Sequence, residues 1–169
     1  MKRLFLLRHA KSSWDESGLA DHERPLAKRG RQASKVIAEH LREEKIRPEL
    51  VLCSPSARTR QTLERIGLGD DAEVRIVDEL YGASAGDLLE VLYGVADDVG
   101  SVMVIGHNPG IEDLALQLAG SGEELERMRE KFPTAALATL EFDGAWGELA
   151  PGGAELVAFV KPKELAKRA

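Results

Sequence analysis

Residues 101–109 read SVMVIGHNP. After Ser101 the run to Ile105 is wholly apolar, as a strand covered on both faces has to be. Asn108 and Pro109 then cap a helix, whose inner face carries Ile111, Leu114, Ala115 and Leu118 at helical spacing. His107 sits at the joint between strand and helix. Two upstream stretches end in the same way. Residues 2–7, KRLFLL, predict a buried first strand that stops at Arg8 and His9. Residues 50–53, LVLC, predict a short strand followed by SPSAR, with Ser54 as an N-cap and Pro55 at the first helical position.

The rest of the chain fits between these joints. A polar, charged loop spans residues 10–27, and a helix is expected over 31–45, with Ala33, Val36, Ile37 and Leu41 on one face. The helix after Pro55 extends to about Ile66. A strand near 74–77 leads into DELYG at 78–82. Ser84 and Asp87 have capping-box spacing ahead of Leu88, Leu92 and Val95. A short helix holds Leu125, Met128 and Phe132. Residues 135–142 and 155–160 read as antiparallel strands with a turn near Asp143 and Gly144. Strand and helix alternate, then extra strands follow. That order predicts one α/β domain over 1–169, in three α/β/α layers, with a mostly parallel central sheet and C-terminal antiparallel strands. Ligands of such sheets bind beyond the carboxyl ends of the strands. Arg8-His9, the SPSAR segment and Gly106-His107-Asn108-Pro109 therefore converge on one rim.

Composition narrows the partners. The 169 residues carry a formal net charge of -6, with a pI near 5.3. Repulsion from polyanions argues against nucleic acid or an anionic membrane as partner, leaving a small molecule or a protein. The one cysteine, Cys53, allows no intramolecular disulfide, which fits a reducing compartment. The first apolar run ends at Leu7, too short for a signal sequence or a membrane span. The cytoplasm is the expected location.

The rim residues suit a phosphoryl group. Arg8 and Arg58 supply guanidinium forks that match its oxygens. Two helix N-termini point N–H groups the same way. Arg58 lies in a helix's first turn, where its charge opposes the dipole, and a bound anion would explain that placement. His9 and His107 lie within this cationic ring. A neutral imidazole is a competent nucleophile toward phosphorus. Glu79 in DELYG is the candidate general acid. Cys53 stands one residue short of the spacing to Arg58 that a cysteine-dependent phosphatase requires: four residues intervene, not five, so Cys53 reads as a buried thiol.

LRHA at the first strand end, SPxxRxxQT after the second strand and GHNP after a later one together resemble the histidine phosphatase superfamily, also called phosphoglycerate mutase-like. RHAKSSW and the short chain are most similar to SixA-type phosphohistidine phosphatases. The resemblance implies His9 as the phosphorylated nucleophile. It implies Arg8, Arg58 and His107 as the rest of the phosphate pocket, and no metal or other cofactor. Broader members carry a glutamate acid in a segment like Glu79-Leu80-Tyr81-Gly82, which leaves room for phosphoester substrates. The implied substrate is a phosphorylated protein or a small phosphorylated molecule.

Other readings stay open at this level. Lys11, Ser12 and Asn108 are substrate-contact candidates by their nearness in sequence. Trp14 could shape the mouth, Thr62 could orient Arg58, and His22 and His40 read as exposed and structural histidines. A metal-dependent hydrolase would need ligands from His9, His107, Asp15, Asp21 or Glu79, but no closely spaced ligand cluster is present. A noncatalytic phosphoprotein-binding module could use the same pocket. A mutase would need a lid for which the chain has little room.

Overall fold

The computed structural model describes residues 1–68 and 72–166. Strands β1 (Lys2–Arg8), β2 (Leu50–Cys53), β3 (Glu73–Ile76), β4 (Ser101–Gly106), β5 (Ala119–Ser121), β6 (Leu137–Phe142) and β7 (Ala154–Val160) form one sheet in the order β3-β2-β4-β1-β6-β7-β5. The first four run parallel. β6 is antiparallel to both β1 and β7. β7 therefore points the same way as β1, and β5 pairs parallel to β7.

The helices are α1 (Lys28–Glu43), α2 (Ala57–Ile66), α3 (Ala85–Tyr93), α4 (Gly110–Leu118), α5 (Leu125–Glu130) and α6 (Pro162–Ala166). Alternation along the strands divides the core in two. Leu4 and Leu6, Leu50 and Leu52, and Val102 and Val104 pack with residues of α3, α4 and α5. Phe5 and Leu7, Val51 and Cys53, and Met103 and Ile105 pack with Ile37 and Leu41 of α1 and Ile66 of α2. Strands with two buried faces read as unbroken apolar runs, and that is how they stand in the sequence.

Four details differ from the sequence reading. α1 begins at Lys28, ahead of its apolar stripe, because its first turn docks on the chain after His9: Ala27 N–H donates to Lys11 O at 2.9 Å. The cap of α2 is Ser56, whose Oγ accepts from Thr59 N at 3.3 Å. Ser54, expected in that role, instead continues beside β4, donating its N–H to Ile105 O at 3.1 Å. The turn at Asp143 and Gly144 is a longer connection, with a 3-10 turn at Trp146–Glu148. It buries Trp146, whose Nε1–H donates to Val99 O at 2.8 Å. Finally, β5 and α6 leave no mark in the sequence pattern; one has three residues and the other five, too few for a period to show.

Candidate active site

Register brings the three strand ends level. Arg8 pairs with Gly106, and Cys53 with Ile105. His9, Ser54 and His107 follow directly. The His9 and His107 rings lie 5.3 Å apart, and His9, Arg58 and His107 are each less than a tenth exposed.

His9 Nδ1 lies 2.7 Å from Ala10 O. A carbonyl only accepts, so Nδ1 carries the hydrogen and Nε2 keeps a lone pair. The Ala10 peptide is itself held: its N–H donates to Thr62 Oγ1 at 3.0 Å, and Thr62 Oγ1 donates to Arg58 O at 2.7 Å. Thr62 thus ties the His9–Ala10 segment to α2. Burial pushes the His9 pKa down to about 3, with His107, Arg58 and Arg8 adding to the effect and the Ala10 bond opposing it. His9 is therefore neutral near pH 7.

His107 Nε2 lies 2.7 Å from Ser54 Oγ, and Nδ1 lies 3.4 Å from Arg58 Nη2. A guanidinium only donates, so Nδ1 accepts and Nε2–H donates to Ser54. Burial, then the Arg58 charge, lowers its pKa to about 4.

The two arginines are held differently. Arg8 Nη1 donates to Phe132 O at 2.9 Å, while its Nε is buried with no partner. Buried donors are almost always paired, and an anion in the pocket would complete this one. Arg58 Nη1 donates to Asp21 O at 2.8 Å, and Nη2 donates to Asp21 Oδ2 at 2.9 Å.

Asp21, which the sequence offered only as a possible metal ligand, is here the partner of Arg58. Its Oδ2 also accepts from Tyr81 OH at 2.5 Å, and its Oδ1 accepts from Arg24 Nη1 at 3.0 Å. These donors, Tyr81 first, hold its carboxyl well below the usual carboxylate range. Arg24 is buried and clamps the loop further, donating to Ser13 O at 3.1 Å and Ser12 Oγ at 2.6 Å beneath the Trp14 ring. Charge in DHER was the visible signal. Its direction was not.

The remaining candidates separate by position. Ser12 is buried under Arg24, and Lys11 is exposed. Asn108 turns inward: Nδ2 donates to Glu112 Oε1 and Phe132 O, and Oδ1 accepts from Glu112 N. It starts α4 and shares the Phe132 carbonyl with Arg8. Glu79 is exposed in the 3-10 turn Asp78–Leu80. From the DELYG segment it is Tyr81 that reaches the pocket, its ring edge-on to His107 at 5.5 Å. His22 is exposed at that mouth, 6.4 Å from the Tyr81 ring. His40 is half-buried on α1. Cys53 is fully buried, and burial pushes its thiol up to about 12, so no thiolate is available. Among the described residues, no three His, Cys, Asp or Glu side chains cluster as metal ligands would, and no helix is long and apolar enough to cross a membrane.

Comparison with known proteins points in one direction. The family model of the histidine phosphatase superfamily, branch 1, matches residues 4–94, a span holding Arg8, His9 and Arg58. An uncharacterized Mycobacterium tuberculosis protein is 42% identical over 161 residues, covering 93% of this chain and all of its own. The phosphohistidine phosphatase SixA of Escherichia coli is 31% identical over 145 residues, covering 83% of this chain and 86% of SixA. A solved structure of the protein histidine phosphatase SixA, complexed with tungstate, superposes with a TM-score of 0.78 at 28% identity, covering 96% of this chain and 99% of that one.

Proposed function

The chain belongs to the histidine phosphatase superfamily and is a SixA-like phosphatase, and we propose that it dephosphorylates protein phosphohistidine through a covalent intermediate on His9. The observation that carries this reading is the His9 tautomer. With Nδ1–H bound to Ala10 O and the ring neutral, Nε2 holds a free lone pair amid Arg8, Arg58 and His107.

In the first step Nε2 attacks phosphorus. A P–N bond to His9 forms as the P–N bond to the substrate imidazole breaks; the bonding pair returns to the nitrogen that carried phosphorus, and a proton taken up from solvent on the other ring nitrogen lets the ring leave as neutral imidazole. Arg8 and Arg58 hold the phosphoryl oxygens, and charge that develops on them meets donors already in place. In the second step water attacks phospho-His9. The P–Nε2 bond breaks, the water's proton goes to solvent, and phosphate leaves with His9 neutral again. A protonated phosphoramidate leaves readily, whereas an ester oxygen needs an acid. Glu79 is the group we assign to esters, and the bonds that hold the pocket do not include its exposed side chain.

The test is phosphate release in excess chelator from a phosphohistidine peptide and from an aryl phosphate, with wild type and His9→Ala. Turnover that vanishes in the variant, with base-stable label trapped on wild-type protein after rapid quench, is the expected result. Full activity in His9→Ala would sink the mechanism. Preference for the aryl phosphate, reduced by Glu79→Gln, would move the substrate to small phosphoesters.

A further inference from the structure

Arg58 is a long, buried cation whose helix dipole works against it. Such a side chain has many rotamers, and a phosphoryl ligand needs one of them. The structure shows what selects it. Asp21 grips the guanidinium at two points, by its backbone carbonyl at 2.8 Å and its carboxylate at 2.9 Å. Two bonds from one residue fix the guanidinium plane as well as its position. The grip also turns Nη2 toward His107 Nδ1. It leaves Arg58 Nε–H unclaimed by any protein acceptor among the described residues.

Asp21 could not aim Arg58 if it were itself loose. Its side chain is half exposed, and an exposed ion pair alone contributes little. Here it is held from two further sides. Tyr81 OH binds Oδ2 from the turn after β3, and Arg24 binds Oδ1 from within the loop. Arg24 is fixed in turn by Ser12, Ser13 and Trp14. The loop base is closed by the bridge of Ser12 with Leu26. Three chain segments thus meet on one carboxylate. Sharing among three donors also tempers its pull on Arg58, so that an incoming dianion meets a guanidinium that is oriented but only partly neutralised.

We propose that Asp21, clamped by Tyr81 and Arg24, is a positioning residue that aims Arg58 at the phosphoryl group. The proposal rests on the reading of Arg58 as a phosphoryl ligand, and it assigns Asp21 no contact with substrate. A residue acting only through Arg58 has no effect once Arg58 is gone.

The experiment is a double-mutant cycle on the full chain: wild type, Asp21→Asn, Arg58→Ala and the double variant. Tungstate affinity is measured by calorimetry and kcat with an aryl phosphate. Asp21→Asn should weaken tungstate binding about tenfold in the wild-type background and less than about twofold in the Arg58→Ala background. Tyr81→Phe, which removes a single hydroxyl, should give a smaller loss with the same dependence on Arg58. Equal losses in both backgrounds would overturn the proposal, because Asp21 would then act on the fold or on the ligand itself. Tighter tungstate binding in Asp21→Asn would also overturn it, by making Asp21 a rival of the ligand. Wild-type tungstate affinity in Arg58→Ala would be a separate failure, of the phosphate-pocket reading on which the proposal rests.

Discussion

His9 and His107 are stored in the fold as neutral bases, and that has a consequence for stability. An unfolded histidine titrates near 6.5, whereas burial lowers these two to about 3 and about 4. Between those values the unfolded chain binds more protons than the folded one. Stability from these groups is complete above about pH 6.5 and is lost as pH falls toward the folded values. Each histidine adds a slope of up to about 1.4 kcal/mol per pH unit in that window. Urea unfolding of ligand-free protein between pH 6 and 4.5 should therefore show a shallower decline for His9→Ala than for wild type. Parallel curves would mean that His9 titrates normally in the fold. The same burial suits the proposed attack by His9, because it keeps Nε2 unprotonated where a solvent-exposed imidazole would be partly charged.

At the scale of elements, the site depends on how helices abut the strand-end segments. Gly30 lies in the first turn of α1, and a Cβ there would meet Lys11 O at 2.1 Å. Exchanging glycine for alanine within a helix ordinarily stabilises by about 1 kcal/mol. Here the obstacle is backbone, two residues beyond His9, and cannot rotate away. Gly30→Ala should instead destabilise by about 1–3 kcal/mol and lower kcat, since the Lys11 peptide can move only by shifting Ala10, whose carbonyl holds His9. Urea midpoints and steady-state rates check both parts; a stabilised, fully active variant would show that α1 and the His9 segment are independent. Gly110 presents the same geometry on the other face, where a Cβ would meet Ala83 O at 2.2 Å, beside the segment that delivers Tyr81. Periodicity in the sequence locates both helices but places the start of α1 three residues late. Its first turn is shaped by contact with Lys11, and contact leaves no period.

For the whole molecule, an acidic chain of net charge -6 encloses a small cationic pocket. A ligand that binds only the folded state stabilises it by mass action. Tungstate at about 100 times its Kd should add about 2.7 kcal/mol, seen as a rise in Tm that Arg58→Ala largely abolishes. An unchanged Tm at saturating tungstate would mean that the pocket does not take tetrahedral oxyanions. The apolar strands, the joints after them and the convergence of Arg8, His9, Arg58 and His107 are legible along the chain, because burial on two faces and strand-end placement are recorded in local pattern. Long-range packing sets what local pattern leaves open: Ser54 serves His107 while Ser56 caps α2, Asn108 faces inward, and Tyr81 rather than exposed Glu79 closes on the pocket. It alone brought Asp21 to Arg58, 37 residues apart, and Tyr81 to Asp21, 60 apart. Local pattern reports which way a side chain faces; which partner it meets depends on packing between distant segments, and a charged loop satisfies its pattern equally well facing water.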